Sequence, residues 1–332
     1  MPEPDVRPHG PAELVNPKEE SSPMPSLQYV GVDVSKDTLV TACGRHRWEF
    51  PNTPAGHRQF LTRLRKLPGT SQVVCESTGP YHLRMCLALQ EAGMAFSIIN
   101  AKRIFHHSRS DGLEAKNDPL DAVAVEQFAI AKEPKPSEPL KPEQIALCEL
   151  LSHRAHLVEA AKVLRTNRAQ VLSRLVGKEI DRALAQLEKQ IAALETKLRA
   201  IALAEPKMQK TFEVLTKVQG VGLITALTLI ARMPELGTLN RGQCAALAGL
   251  APFDNDSGTY RGKRTIKGGR FDVRRALYMA AVTAARFNPA LKRVYERLVG
   301  AKKPYKVAIV AVMRKLLIYL NTLLKPEENA AA

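Results

Sequence analysis

Hydrophobic positions recur along this chain with two different periods, and the change of period divides it. In the N-terminal part they come in short runs. Tyr29-Val30-Gly31-Val32-Asp33-Val34 reads as an apolar strand carrying one acid. Thr38 to Ala42 and Arg47 to Phe50 read as two more strands, joined as hairpins. Gln72 to Glu76 is a fourth, again ending in an acid, and Phe96 to Ile99 a fifth. Ala55–Leu67, Tyr81–Ala92 and Asp118–Ala131 have helical spacing. Three antiparallel strands, then strands alternating with helices, predict a mixed α/β sheet covered by helices over residues 27–131.

Residues 132–142 hold four prolines and predict a linker. Beyond them the texture is all helical. Leu157, Ala161, Leu164, Arg168, Val171 and Leu175 step by four and three. After Gly177 the steps resume at Ile180, Leu184, Leu187, Ile191, Leu194, Leu198 and Ile201. This predicts a coiled coil over 143–205, with a break or hairpin at Gly177 where the spacing jumps. Residues 206–326 predict a mostly helical unit interrupted by one polar loop, Asp254 to Gly269. Residues 1–26, with seven prolines, predict a disordered tail, and 327–332 a second short one.

Composition then narrows the function. Of 332 residues, 49 are Lys or Arg and 33 Asp or Glu, a net charge of +16. From Ser257 to Leu320 there are 16 Lys and Arg against two acids, so that segment holds +14 and the rest only +2. So one-sided a field fits a polyanionic partner, most simply nucleic acid, better than a face kept basic for solubility. Five cysteines without CxxC spacing argue against a disulfide scaffold or a cysteine-rich zinc site and fit a reducing, cytoplasmic setting. No apolar run is long enough to span a membrane, and no signal-peptide order is present at the N-terminus.

Four acids stand out. Asp33 lies inside an apolar strand and Glu76 ends another, where an ionised carboxylate is costly unless paired or metal-bound. Asp118 and Asp121 are three apart on a helix and share a face. If the first and fourth strands are neighbours, that helix can cross their ends and gather the four carboxylates. Carboxylate oxygens are what a hard cation such as Mg²⁺ requires for phosphoryl transfer. Each acid also has a plain reading: Asp118-Pro119 starts a helix well, Asp121 suits its dipole, Glu76 suits a turn, and Asp33 a hairpin cap.

In the polar loop, Asp254-Asn255-Asp256-Ser257-Gly258 precedes Arg261, Lys263, Arg264, Lys267 and Arg270, with glycines between. Such a loop brings backbone and cations to a phosphate, and a serine held there can attack it; it is equally an ordinary turn. Gly220-Val221-Gly222 between helices reads either as a phosphate-holding helix–hairpin–helix turn or as a packing glycine pair.

Taken in order, these motifs resemble one family. They are Gly31-Val32-Asp33-Val34-Ser35-Lys36, Glu76-Ser77-Thr78-Gly79-Pro80-Tyr81, Lys116-Asn117-Asp118-Pro119-Leu120-Asp121, Gly220-Val221-Gly222, Ala248-Gly249-Leu250-Ala251-Pro252, Asp256-Ser257-Gly258, Arg261-Gly262-Lys263-Arg264, Gly268-Gly269-Arg270 and Arg274-Arg275-Ala276-Leu277. The set is similar to the DEDD-type insertion-sequence transposases, the bridge-RNA-guided recombinases, over nearly everything from Tyr29 to Leu324. The resemblance implies a RuvC-like, ribonuclease-H-fold domain whose Asp33, Glu76, Asp118 and Asp121 bind Mg²⁺. It implies a C-terminal transposase domain whose Ser257 attacks a DNA phosphate and forms a phosphoserine link. It implies a structured guide (bridge) RNA, target and donor double-stranded DNA, and a tetramer joined through the coiled coil. On that reading Gly220, Gly222, Arg261, Lys263, Arg264, Lys267, Arg270, Arg274 and Arg275 contact nucleic acid. The alternatives are a metal-dependent junction nuclease without a serine nucleophile, with Tyr81 as a rival nucleophile to test, and a non-catalytic RNA- or DNA-binding scaffold.

Overall fold

The computed structural model describes residues 27–77, 79–110, 118–254, 256–257, 260–262 and 264–325, without the side chains of 110, 118–120, 256, 257, 260 and 261. Both expected tails lie outside the described residues. The chain divides after Leu140 into two compact units.

The first unit runs β1 (Gln28–Val34), β2 (Thr38–Cys43), β3 (His46–Pro51), α1 (Pro54–Leu64), β4 (Ser71–Glu76), α2 (His82–Glu91), β5 (Ala95–Ile99), α3 (Ala101–Ser110) and α4 (Asp118–Lys132). The strands form one sheet in the order β3-β2-β1-β4-β5. β1 and β3 are antiparallel to β2, while β4 is parallel to both β1 and β5. On one face Val30, Val32, Leu39, Val73 and Cys75 pack on Phe60 and Leu64 of α1 and Met85, Cys86 and Leu89 of α2. On the other, Tyr29, Val74 and Ile99 meet Ile104 of α3 and Ala124, Val125, Phe128 and Ala129 of α4. Both faces are covered, so β1 and β4 read as apolar runs rather than as an alternation. The expected mixed sheet is present, with the first and fourth strands adjacent.

Gly31 sets how closely α4 lies on the sheet. A Cβ there would collide with the Ala122 carbonyl oxygen and the Glu126 backbone nitrogen. Gly31→Ala is expected to lift α4 and cost about 1–3 kcal/mol of unfolding free energy, the usual range for overpacking. Chemical denaturation of the variant measures it, and an unchanged midpoint would contradict the close approach.

Two features were not legible in advance. Helix α3 carries a single buried aliphatic, Ile104, so it lacks a periodic signal. The proline-rich stretch is not a free linker but docks along β5. Gln72 Nε2 donates to the Pro134 carbonyl at 2.6 Å, Ser97 Oγ to Lys135 at 2.7 Å, and Ser137 and Phe96 pair by backbone at 2.8 Å. It covers the exposed sheet edge, whose unpaired backbone groups otherwise invite aggregation.

Two buried histidines give this unit an acid sensitivity. Burial, and for His57 also Arg84, lowers the pKa of His57 and of His82 from 6.5, although a backbone hydrogen bond at Gly79 partly offsets the effect at His82. Both are therefore neutral in the fold and protonate sooner when unfolded. Their contribution is complete above pH 6.5 and is lost as pH falls toward the lower folded values, by at most about 1.4 kcal/mol per unit for each. Burial raises the Glu126 carboxyl pKa, against opposing effects of Gly44 and Arg47, so Glu126 favours the folded state more as pH falls and opposes the loss at the acid end. The melting temperature of this unit is expected to fall between pH 6.5 and 5.5; a flat profile would contradict the buried, neutral histidines.

The second unit comprises α5 (Pro142–Arg168), α6 (Arg174–Ala204), α7 (Pro206–Thr216), α8 (Leu223–Arg232), α9 (Arg241–Leu247), β6 (Pro252–Phe253), β7 (Asp256–Ser257), β8 (Tyr260–Arg261), β9 (Thr265–Ile266), α10 (Phe271–Phe287), α11 (Pro289–Gly300) and α12 (Tyr305–Leu323). Its helix starts are strongly written. Glu205 caps Pro206, Asn240 forms a capping box with Gln243, and Asn288 caps Pro289. One core joins Leu147 and Leu151 of α5 and Leu198 of α6 to α8, α10 and α12.

The expected break at Gly177 is misplaced. The chain turns at residues 169–173, and Gly177 is buried inside the first turns of α6, its α-carbon facing the Arg168 guanidinium. Helices α5 and α6 pack antiparallel, because the ion pairs Arg154–Glu195, Arg165–Glu188 and Arg168–Asp181 run in opposite chain directions. A five-residue connection with a capping Ser173 closes the hairpin, and the widened heptad step reflects a register beside the turn rather than the turn itself.

Candidate active site

In the first unit the sheet register places two of the acids. Val32 of β1 lies opposite Cys75 of β4, so the next residues along, Asp33 and Glu76, are neighbours on adjacent parallel strands. Strand alternation puts Asp33 on the face of Gly31 and Glu76 on the face of Val74, which is the face α4 covers. Gly31 meets Ala122 near the start of α4, whereas Val74 and Tyr29 lie in the cluster with Phe128 and Ala129 farther along it. The helix therefore runs antiparallel to β1, and its first turn, with Asp121, lies toward the carboxyl ends of β1 and β4. Asp118 opens the same helix; its side chain is outside the described residues.

This is an all-carboxylate donor set of the chemistry that a hard divalent cation takes. Among the described residues no three His, Cys, Asp or Glu side chains stand together closely enough to hold an ion. Asp33, Glu76 and Asp121 each have further interactions. The sheet thus aligns Asp33 and Glu76, and the first turn of α4 lies toward them. Tyr81, the rival nucleophile, is exposed at the cap of α2.

In the second unit the expected polar loop is a hairpin. Pro252 and Phe253 pair with Ile266 and Thr265, and farther out Asp256 and Ser257 pair with Arg261 and Tyr260. Ser257 is the last residue of its strand, at the outer end of the arm. Asp254 and Arg264 form an ion pair at 2.5 Å across it, and Lys267 Nζ lies 5.1 Å from the Phe253 ring centroid. Two-residue ladders carry no alternation for a sequence to reveal.

The base of the arm is pinched. Gly249 and Gly269, both at positive φ, bring their backbones into contact, and a Cβ on either would collide with the other strand or with the Gly268 carbonyl. Arg274 Nη1 donates to the Gly268 carbonyl at 2.5 Å, and the Arg270 backbone nitrogen donates to Leu247 at 2.7 Å. Arg270 also forks onto Glu235 at 2.6 and 2.7 Å and donates to the Arg232 carbonyl at 2.8 Å. Burial pushes the Glu235 carboxyl upward, but the Arg270 hydrogen bonds outweigh it and hold the pKa below the usual value.

The cations expected on nucleic acid therefore divide. Arg270 and Arg274 are half-buried and hydrogen-bonded at the base of the arm. Arg264 is exposed but paired with Asp254, and Lys267 is exposed over Phe253. Arg275 is exposed on the rim of a cleft of about 810 Å³ between α5, α8 and α10. The side chains of Arg261 and Lys263 lie outside the described residues. Gly220, at φ +101°, packs where a Cβ would sit 2.7 Å from Ala284 Cβ, which is the packing alternative. Gly222 is exposed at the N-cap of α8, with open space at its Cβ position. The buried pair Asn52 and His57 carries no sequence signal, for nothing in the spacing distinguishes Asn52 from a turn residue or His57 from any other position of α1.

Residues 30–176 match the DEDD_Tnp_IS110 family, described as Transposase, and residues 212–296 match Transposase IS116/IS110/IS902 family. The chain belongs to the IS110 transposase family. As a transposase it is an enzyme of DNA strand cleavage and transfer. It is similar to the pilin gene-inverting protein of Moraxella bovis, 26% identical over 304 residues that cover 88% of this chain and 94% of that one. The protein of the same name in Moraxella lacunata matches equally, at 26% over 304 residues. It also resembles the insertion element IS110 uncharacterized 43.6 kDa protein of Streptomyces coelicolor, 30% identical over 146 residues covering 43% of this chain and 35% of that protein. No helix among the described residues is long and apolar enough to cross a membrane.

Proposed function

We propose that this transposase is an RNA-guided recombinase of a mobile element, which cuts and rejoins DNA through a phosphoserine at Ser257. The observation that carries the reading is the pair of adjacent strand ends holding Asp33 and Glu76, with the first turn of α4 directed toward them. The five-strand order, with three antiparallel and then two parallel strands, supports a ribonuclease-H-like fold for this unit. Relatives named as pilin gene-inverting proteins favour rejoining over simple cutting, since an inversion must reseal what it opens.

In this mechanism the Ser257 oxygen attacks a DNA phosphorus, an O–P bond forms, and the bond to one strand terminus breaks. The serine proton passes to a base or solvent and the departing strand takes up a proton as a hydroxyl. A hydroxyl of the recipient strand then attacks the phosphoserine and restores the free serine, so no bond energy is lost to water. Asp33, Glu76, Asp118 and Asp121 would hold Mg²⁺, which supplies charge neutralisation at the scissile phosphate. The arm's exposed cations would hold the backbone, and the pinched base would keep Ser257 from wandering.

Guide-RNA pairing would leave the protein to read backbone and shape, which suits a charge excess gathered in one segment with only 5% aromatic residues. The α5–α6 hairpin supports assembly as a tetramer: Leu172, Leu175 and Val163 are exposed near its tip, and Leu184, Leu187, Ile191 and Leu194 are only half-covered by α5. The test is to sequence RNA co-purifying with the protein and to assay joining of matching DNA with Mg²⁺. A specific structured RNA and resealed junctions are expected; joining that ignores added RNA would remove the guide from the reading.

A further inference from the structure

Beyond the ends of the two acid-bearing strands lies a buried polar pair outside the carboxylate set. Asn52, at the end of β3, and His57, on α1, are both under a tenth exposed. The Asn52 amide nitrogen donates to the Ser35 carbonyl at 2.8 Å and to the Tyr81 carbonyl at 3.3 Å. Its Oδ1 lies 2.8 Å from His57 Nε2.

The donor count fixes the arrangement. Both amide hydrogens of Asn52 are spent on carbonyls, so Oδ1 must accept and His57 must donate through Nε2–H. A flipped amide would face two carbonyls with an oxygen, which three buried contacts forbid. The backbone nitrogen of Asn52 is also anchored, donating to Asp37 at 2.8 Å. Gly56 holds α1 against the end of β3, for a Cβ there would collide with the Pro51 carbonyl oxygen.

The two carbonyls are informative by position. Ser35 stands two residues beyond Asp33 on the way out of β1. Tyr81 stands five beyond Glu76, where the chain from β4 enters α2. Parallel pairing aligns the two strands as far as Val32 and Cys75, and beyond that their exits part. The Asn52 amide ties these exits together.

We infer that Asn52, oriented by His57, is a positioning residue that sets the spacing of Asp33 and Glu76 and thereby the affinity of the carboxylate face for a divalent cation. The inference rests on the metal-binding reading of those acids. Groups that orient metal ligands from behind typically change affinity 10–100-fold when removed.

The test is Mn²⁺ binding to the full-length protein, followed by electron paramagnetic resonance. Asn52→Leu keeps the branched shape and heavy-atom count and removes all three side-chain hydrogen bonds; it is expected to bind Mn²⁺ at least about ten-fold more weakly while still melting cooperatively. His57→Phe removes the donor to Oδ1 and should weaken binding too, whereas His57→Gln, whose Nε2 can reach the same oxygen, should restore it. Stability alone does not predict that order, because both His57 substitutions disturb the same packing. If Asn52→Leu does not fold, the His57 pair decides. Native affinity in a folded Asn52→Leu, or equal affinities in the His57 pair, would overturn the inference. If the native protein binds no Mn²⁺, or Asp33→Asn and Glu76→Gln bind it unchanged, the metal-binding reading itself fails.

Discussion

Ser257→Ala is expected to stop strand joining altogether and to leave no covalent protein–DNA species. Loss of a catalytic serine elsewhere costs on the order of a million-fold in rate. The substitution should leave the melting temperature within experimental error, since Ser257 sits at the outer end of a two-residue ladder, away from the core. A gel assay of joined and nicked products separates the possibilities. A variant that still cuts but cannot reseal would mark a water-using nuclease. A Tyr81→Phe control is expected to behave as the native protein, and loss of the adduct there would move the nucleophile to α2.

The second large effect is expected at the strand ends. Asp33→Asn and Glu76→Gln preserve shape but remove charge from neighbouring positions on β1 and β4. Charge neutralisation at a phosphate in transfer is worth several kcal/mol, so each substitution should slow cleavage by roughly a thousand-fold or more. Both variants should fold, because a neutral amide at these half-buried sites is no costlier than a carboxylate. Activity that survives in either variant, with unchanged dependence on divalent cation, would place the chemistry elsewhere. Asp121→Asn tests whether the first turn of α4 contributes, and its effect should parallel theirs.

Much of this was legible in the residues, and the reasons are specific. Asp33 and Glu76 were conspicuous because an acid in a buried apolar run is expensive, and the register that aligns them follows from the order of strands. The helix starts at Pro206 and Pro289 announce themselves through Glu205 and Asn288. What stayed hidden depended on tertiary contact. Gly249 and Gly269 look like loop glycines until their backbones cross. The fork of Arg270 onto Glu235 joins residues thirty-five apart, which no local spacing announces. The α5–α6 turn, a few residues before Gly177, stayed hidden because Ala169-Gln170-Val171-Leu172-Ser173 holds no glycine or proline to mark it, and Val171 continues the heptad step. Asn52 and His57 were invisible, since a buried amide looks like a turn residue until its carbonyl partners are known.

The central claim is that the transferred phosphate is carried by the hydroxyl on the C-terminal arm under the control of acids from the sheet. The most direct measurement is to trap the protein–DNA adduct during reaction and identify the linked residue by mass spectrometry, with and without divalent cation. The account predicts a phosphodiester on Ser257 that forms only when the cation is present and disappears in Asp33→Asn. An adduct on another residue, or DNA cut and rejoined with no adduct at all, would contradict it.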